Sequence, residues 1–348
     1  MYNNYSQYPQ NYPPPNIVSL EIQPNGIPVL PFPDEKNYIK KSYTKTMLFT
    51  LMNVMLPTIL LNFFISIVQT FSFAFNFPDP FTDEFFSSFW GVFLTTGLPA
   101  IMGVIMFFWG SYSTKINIKS LLKPKKFSPS FLLAAMIIGA ASNVVLAQFC
   151  DKADSVLRQF NLTLYTPNFD LNSSFATNIL MLVVVVVIGP IAEELFFRGF
   201  LLKNLSRFNR TFGIITSALI FGLFHLNIPQ FIFAFIVGII AAFLTIKFDT
   251  IYPAIALHMG LNLISMALPA LADIFGEIGF TICVVINIAF VLIGIILLIY
   301  GLAKRKIAFP PRTIGNLKRG ARIFWAAPLP LITMILMIIF TLFSIQKC

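Results

Sequence analysis

The chain has 348 residues, of which 57% are hydrophobic and only 11% are charged. Soluble domains carry about a quarter charged residues, so this composition excludes an ordinary soluble protein. Its apolar runs reach the length of about 20 residues that crosses a bilayer, and they are continuous rather than alternating. The sequence therefore predicts an all-α protein, a polytopic transmembrane helical bundle, rather than a β-barrel.

Residues 1–45 precede the first apolar run and are rich in Tyr, Asn, Gln and Pro. This composition favours a disordered, polyproline-like cytosolic tail, and no apolar signal-peptide core lies near its start. The three cysteines, Cys150, Cys283 and Cys348, show neither metal-ligand spacing nor a disulfide pattern. The terminal IQKC is not a prenylation signal.

Nine helices are predicted after the tail, giving eight to nine transmembrane spans. Their expected bounds are about 46–70, 86–110, 130–149, 176–205, 212–226, 230–247, 251–269, 279–303 and 324–345. We divide them into N-terminal helices and loops (46–175), a core (176–269) and C-terminal helices (270–348).

The positions of the Lys and Arg residues predict the orientation of these helices. With a cytosolic N-terminus, all 24 except Lys152, Arg158 and Lys347 lie in inner segments or inner halves of helices. This is a positive-inside pattern, and we expect a multi-pass protein of the cell membrane. The net charge of +10 then reflects orientation and contact with anionic lipid, so nucleic acid is not an expected partner.

Few ionisable side chains are predicted inside the membrane. Of the 14 acidic residues, only Glu193 and Glu194 fall within an apolar helix, and the chain has only two histidines, His225 and His258. A carboxylate in the middle of a membrane helix costs about 3 kcal/mol on insertion scales and normally faces a partner inside the protein. The clustering of these four residues between positions 193 and 258 indicates a functional site.

The two glutamates are expected to have different partners. Glu194 and Arg198 are four residues apart with the acid first, the favourable order for an ion pair on one helix face. Glu193 is rotated by about 100° from Glu194 and is free to face another part of the interior. Pro190, one turn earlier, is expected to kink the helix.

Three further side chains can reach Glu193. His258 and Asn262 share one helix face, and His225 lies on another helix. A rise of about 1.5 Å per residue places all four groups roughly 10–20 Å from the cytosolic ends of their helices. They can therefore meet in one buried polar cavity, which we expect to be reached from the cytosol.

This set of groups allows more than one mechanism of hydrolysis. A carboxylate and an imidazole can activate water, while a second histidine and an Asn amide can donate to an oxyanion. Alternatively, Glu193, His225 and His258 could hold a Zn²⁺ ion that activates the water, although the HExxH motif is absent. Asn is a poor zinc ligand, which favours the metal-free route. A serine nucleophile at Ser217 or Ser265 is disfavoured because no Ser-His-acid group is indicated.

These residues resemble a known family. The ordered motifs EExxxR (Glu193, Glu194, Arg198), FxxxH (Phe221, His225) and HxxxN (His258, Asn262) are similar to those of the CPBP intramembrane proteases. That family, also called the CAAX-protease and bacteriocin-processing or Abi family, includes the type II CAAX prenyl endopeptidases. The resemblance covers about residues 176–268.

The resemblance implies a role for each motif residue. Glu193 and His225 would activate the water, and His258 and Asn262 would stabilise the oxyanion. Glu194 and Arg198 would hold the shape of the site. The family leaves metal use open, and it implies a substrate that is a membrane-anchored or membrane-inserted peptide or protein.

Two other classes of function compete with an endopeptidase. Buried Glu and His residues also mark ion paths in transporters, but no counterpart of the polar cluster is visible in residues 46–150 or 279–345. A non-catalytic membrane scaffold or immunity protein, acting through the N-terminal tail, is the other alternative.

Overall fold

The computed structural model describes residues 35–165, 174–207, 209–307 and 317–348. Helices dominate this part of the chain because every backbone N–H and C=O group in lipid needs a partner within the protein. The predicted all-α, multi-pass bundle is confirmed. The expected disordered tail lies for the most part outside the described residues.

Nine helices, α1 to α9, and two short strands form the fold described here. The helices are α1 (Glu35–Ala74), α2 (Phe89–Thr114), α3 (Pro129–Arg158), α4 (Phe175–Leu205), α5 (Arg210–Phe224), α6 (Ile228–Phe248), α7 (Tyr252–Ala303), α8 (Leu317–Trp325) and α9 (Pro328–Leu342). Single-turn helices cover Asp83–Phe86 and Ile118–Leu121, and β1 (Leu162–Leu164) pairs antiparallel with β2 (Ile345–Lys347).

Helix α1 begins inside the segment that the sequence assigned to the tail. It starts at Glu35, about three turns before the predicted position. Ile39 and Tyr43 lie one turn apart and are buried, with the Tyr43 ring packed on Phe212 and Phe324 at centroid distances of 5.5 and 5.6 Å. This packing extends the helix through residues too polar to be recognised as part of a span.

The number of candidate spans is lower than predicted. Among the described helices, six are long and apolar enough to cross a membrane, or seven if the pair α8–α9, bent by 80°, is one span. Helix α5 has 15 residues and is about 22 Å long, short of the roughly 30 Å of a bilayer core. Helix α7 counts as one span although its chain folds back on itself.

Helix α7 is a helical hairpin with its turn at Gly276. The Cys283 thiol donates to the Leu268 carbonyl at 3.0 Å, although a straight helix would separate these residues by about 22 Å. Gly276 has φ 56° and ψ −132°, a conformation that only glycine adopts readily. Its two arms, residues 252–275 and 277–303, correspond to the two helices predicted there.

One end of the bundle, which we call the basic end, gathers the segments 113–126, 203–210, 247–251 and 304–307. Lys45 Nζ donates to the Ser113 carbonyl at 2.6 Å, and Arg207 donates to the Thr114 carbonyl at 2.8 Å. Asp249 accepts from both Lys125 and Lys203. These contacts bring together the segments that the positive-inside pattern placed on one side.

The opposite end gathers segments 75–88, 159–165, 225–228, 273–278 and 344–348. The β1–β2 pair lies here, and the Cys348 N–H donates to the Asn161 carbonyl at 3.1 Å. The Ile228 N–H donates to Ser344 Oγ at 3.3 Å. The two ends of the bundle are therefore distinct in sequence and in charge.

The Gly276→Ala variant should unfold more easily than the wild type. A Cβ at this position meets no neighbouring atom, so the loss of stability arises from the backbone conformation alone. It should lower the free energy of unfolding by about 1–3 kcal/mol. Gly320→Ala is the control, because residue 320 is helical and a Cβ there makes only ordinary contacts. Thermal unfolding in detergent, followed by circular dichroism, should show a lower midpoint for Gly276→Ala alone; equal midpoints would contradict the turn.

Candidate active site

The backbone of α4 leaves the regular α-helical pattern on both sides of the two glutamates. Residues Val184–Ile188 and Leu195–Leu202 form π-helical turns, and an α-helical segment, Gly189–Glu194, lies between them. A π turn shifts the helix by one residue, and such turns are common at functional sites. The directions of Glu193 and Glu194 therefore depend on both π turns.

Pro190 connects this backbone to the first arm of α7. The Gly189 N–H donates to the Val184 carbonyl, and Pro190 has no N–H, so the Val185 carbonyl lacks a partner within the helix. Asn262 Nδ2 supplies the missing bond at 2.8 Å. The first arm of α7 is thereby fixed against α4 at the level of the site, while one N–H of the amide remains uncommitted.

Glu194 and Arg198 form the ion pair that their spacing predicts. Glu194 Oε2 lies 3.0 Å from Arg198 Nε, and both side chains are 0% exposed. The contact is an ion pair without hydrogen-bond geometry, because both atoms lack a hydrogen-bond partner among the described residues. The Arg198 guanidinium also lies over the Phe221 ring, 4.5 Å from its centroid. A charge with no solvent contact is therefore compensated by a carboxylate and an aromatic face.

His258 contacts both glutamates. Its Nδ1 is 3.0 Å from Glu194 Oε1, and its Nε2 is 3.8 Å from Glu193 Oε2. The side chain of Glu194 is fully buried, whereas that of Glu193 is 26% exposed. The sequence placed His258 beside Asn262 but gave no sign that it would bridge the two acids.

His225 occupies the C-terminal end of α5 with its ring orientation fixed. Its Nδ1 lies 3.0 Å from the Phe221 carbonyl, which can only accept, so Nδ1 carries the proton. In the neutral ring, Nε2 is therefore an acceptor. The expected direct pairing of His225 with Glu193 is absent among the described ion pairs, although both line the same cavity.

Phe221 organises these groups. It is 1% exposed, and its ring centroid lies 5.2 Å from that of His225 and 5.6 Å from that of His258. Together with the Arg198 contact, it separates the buried ion pair from the cavity. Its ring is an aromatic wall shared by three functional side chains.

A cavity of about 860 Å³ brings the predicted catalytic groups together. Glu193, His225, His258 and Asn262 all line it, whereas Glu194 and Arg198 lie behind its wall. The same helix thus presents one glutamate to the cavity and the next to the protein interior.

Polar residues outside the motifs also line the cavity. The sequence indicated no polar cluster in the first three helices, but these helices contribute Asn53, Thr95, Thr96 and Asn143 to the cavity wall. Gln230, Ser265 and Asp273 line it as well. Asn53 is 3% exposed, and its Oδ1 has no hydrogen-bond partner among the described residues. An Asn within the apolar run of α1 was the signal that could have revealed it, although Asn62 shares that run and is exposed.

The donor set does not fit a metal ion. In the described ranges, no three His, Cys, Asp or Glu side chains converge in a way that could hold one. Asn262 is directed to the Val185 carbonyl, and Glu194 is paired with Arg198. Glu193, His225 and His258 therefore do not converge as a set of zinc ligands.

The cavity lies toward one end of the bundle. The lining residues nearest an end of the bundle are Thr95, Thr96, Gln230 and Asp273, which lie toward the end opposite the basic end. Counting residues from the helix ends gave the depth of the groups, but it could not show which side their cavity faces.

Fold and site together define a multi-pass membrane protein with a buried glutamate–histidine cluster facing a cavity. Residues 175–264 match the family model described as "Type II CAAX prenyl endopeptidase Rce1-like". This match confirms the predicted resemblance to the CAAX proteases for that segment of the chain. The family supports a protease of the CAAX endopeptidase type. No curated protein and no solved structure was found to match the chain.

The two adjacent glutamates should differ in their effect on stability. Glu194→Gln leaves the buried Arg198 without its counter-charge and should lower the free energy of unfolding by about 3 kcal/mol or more. Glu193→Gln alters a partly exposed side chain and should change stability by less than about 1 kcal/mol. Thermal unfolding midpoints in detergent measure both variants. Equal midpoints for the two would contradict the assignment of the ion pair to Glu194.

Proposed function

We propose that the protein is an intramembrane endopeptidase that hydrolyses a peptide bond with a water molecule activated by Glu193 and His225. The observation that carries this proposal is the shared cavity, which both side chains line together with His258 and Asn262. The family match supports the reaction class.

Glu193 and His225 both offer acceptors to the water. The lone pair of His225 Nε2 is available because Nδ1 donates to the Phe221 carbonyl. A water that donates one hydrogen to each group has its oxygen lone pair free to attack the carbonyl carbon of the substrate. Its proton passes to Glu193 as the new C–O bond forms.

His258 and Asn262 stabilise the resulting oxyanion. In this proposal the His258 ring carries a proton on each nitrogen: Nδ1–H donates to Glu194, and Nε2–H donates to the substrate oxygen. With His258 protonated, the charges of Glu193, Glu194, Arg198 and His258 sum to zero, which suits a site with little solvent. The uncommitted N–H of Asn262 is the second donor.

Collapse of the tetrahedral intermediate completes the reaction. Glu193 returns its proton to the amide nitrogen, the C–N bond breaks, and the products are a new carboxylic acid and a new amine, between which a proton then passes to give carboxylate and ammonium. No covalent enzyme intermediate forms, since Glu193 acts first as base and then as acid.

Asn53 binds the peptide backbone in this proposal. Its side chain lines the cavity and its Oδ1 has no partner within the described residues, so a peptide N–H would satisfy it. The substrate is a membrane-anchored or membrane-inserted peptide or protein, and the cell membrane is the proposed location.

Glu193→Gln and His225→Ala should each lower the cleavage rate by about 10²–10⁴-fold, because each removes an acceptor for the attacking water. New N-termini in membranes of cells producing wild-type protein, mapped by mass spectrometry, give the cleavage sites, and quenched peptides spanning them give rates. Glu84→Gln, which changes an exposed carboxylate outside the lining of the cavity, is the control. Identical sets of N-termini from wild type and Glu193→Gln would contradict the proposal and favour a scaffold.

Asn53→Leu should raise KM for such a peptide about tenfold and change kcat less, because one backbone hydrogen bond is worth about 1–1.5 kcal/mol. Asn62→Leu is the matched control, since Asn62 is exposed on the same helix and donates to the carbonyl of Thr58. An unchanged KM for Asn53→Leu would exclude this contact with the substrate.

A further inference from the structure

The cavity occupies the half of the bundle that lies away from the basic end. From Glu193 and His258 it extends along the first arm of α7 through Pro269 to Asp273 and Ile274, next to the turn at Gly276. Among its described lining residues, none comes from the four segments that form the basic end.

Packed side chains separate the site from the basic end. On α4, the residues that follow the glutamates toward that end are fully or almost fully buried: Phe196, Phe197, Arg198, Phe200, Leu201, Leu202 and Leu205. On α7, Ile251, Ala254 and Leu257 are 0% exposed on the same side of His258. A polypeptide arriving from the basic end would have to displace this core, at a cost of several kcal/mol for large buried side chains.

The charge distribution assigns the basic end to the cytosol. Its segments, with the adjacent ends of α1 and α8, carry most of the described Lys and Arg residues, whereas Lys152, Arg158 and Lys347 are those at the opposite end. The opposite end carries acidic residues instead: Asp79, Asp83, Glu84, Asp151, Asp154, Asp273 and Glu277. Cytosolic segments of membrane proteins are enriched in Lys and Arg, so the opposite end faces away from the cytosol.

From the lining of the cavity, the packed basic side and this charge distribution, we propose that the substrate reaches Glu193 from the non-cytosolic side. The substrate class is then a translocated segment: a non-cytosolic tail or loop of a membrane protein, or the adjoining part of its membrane helix. A cytosolic C-terminal peptide does not fit this path. The cleavage rests on the proposed function, but the side of access does not.

Single cysteines at the mouth of the cavity test the side of access without any cleavage assay. Thr96→Cys and Asp273→Cys are made in the full chain carrying Cys348→Ser; the remaining Cys150 and Cys283 are buried. A membrane-impermeant maleimide is added to sealed right-side-out or inverted vesicles. The control is Lys119→Cys at the basic end, an exposed position away from the cavity.

The mouth cysteines should be labelled in right-side-out vesicles, whereas Lys119→Cys should be labelled in inverted vesicles. The wild-type Cys348, exposed at the opposite end, should behave like the mouth cysteines. Labelling of the mouth in inverted vesicles alone, of Lys119→Cys from outside, or of neither mouth cysteine from either side would overturn the proposal.

Cleavage in oriented vesicles then tests the proposed function separately. An impermeant quenched peptide, taken from a mapped cleavage site, should be cut at least tenfold faster by right-side-out than by inverted vesicles. Correct labelling without cleavage by either preparation would refute the endopeptidase activity and leave the side of access standing. Faster cleavage by inverted vesicles would overturn the side of access.

Discussion

The ion pair between Glu194 and Arg198 is the interaction on which the site depends. Its side chains have no solvent contact, so each charge requires the other in a surrounding of low dielectric constant. Glu194 also binds His258, and Arg198 lies on Phe221, which in turn packs on both histidines. The pair thus links α4, α5 and α7 through a continuous set of contacts. A purely apolar substitute could match its stability but could not orient the imidazoles.

This arrangement divides the polar groups into two layers. The inner layer, Glu194 and Arg198, has no solvent contact and holds the neighbouring side chains in position. The outer layer, which includes Glu193 and His225, lines the cavity, where polar atoms remain available to a substrate. Asn262 belongs to both, because one N–H completes the α4 backbone and the other remains available. Asn53 belongs to the outer layer although it lies on a helix outside the matched segment. The cavity is therefore a product of the whole bundle, and the matched family segment alone does not enclose it.

The sequence could predict contacts only between residues that lie close together in the chain. The pair Glu194–Arg198 follows from a spacing of four residues, and the separate direction of Glu193 follows from the helical turn. Contacts between distant helices carry no such spacing, so the bridge from His258 to both acids and the contribution of Asn53 appear only in the folded chain. The hydrogen bond from Asn262 to the Val185 carbonyl could be predicted only if the π turn were known, and no residue pattern indicated that turn. The side on which the cavity lies likewise depends on how the large aromatic residues of α4 pack.

The π turn at Val184–Ile188 has a consequence for how the sequence can vary. It lies in a run of five valines at positions 183–187, followed by Ile188. Exchanging one of these residues for another β-branched residue changes little, because their shapes are nearly interchangeable. Removing one of them would close the turn into a regular α-helix and rotate the preceding part of α4 by about 100° relative to the glutamates. The run therefore tolerates substitutions but not deletions. The number of its residues, more than their type, sets how the two parts of α4 are rotated relative to each other.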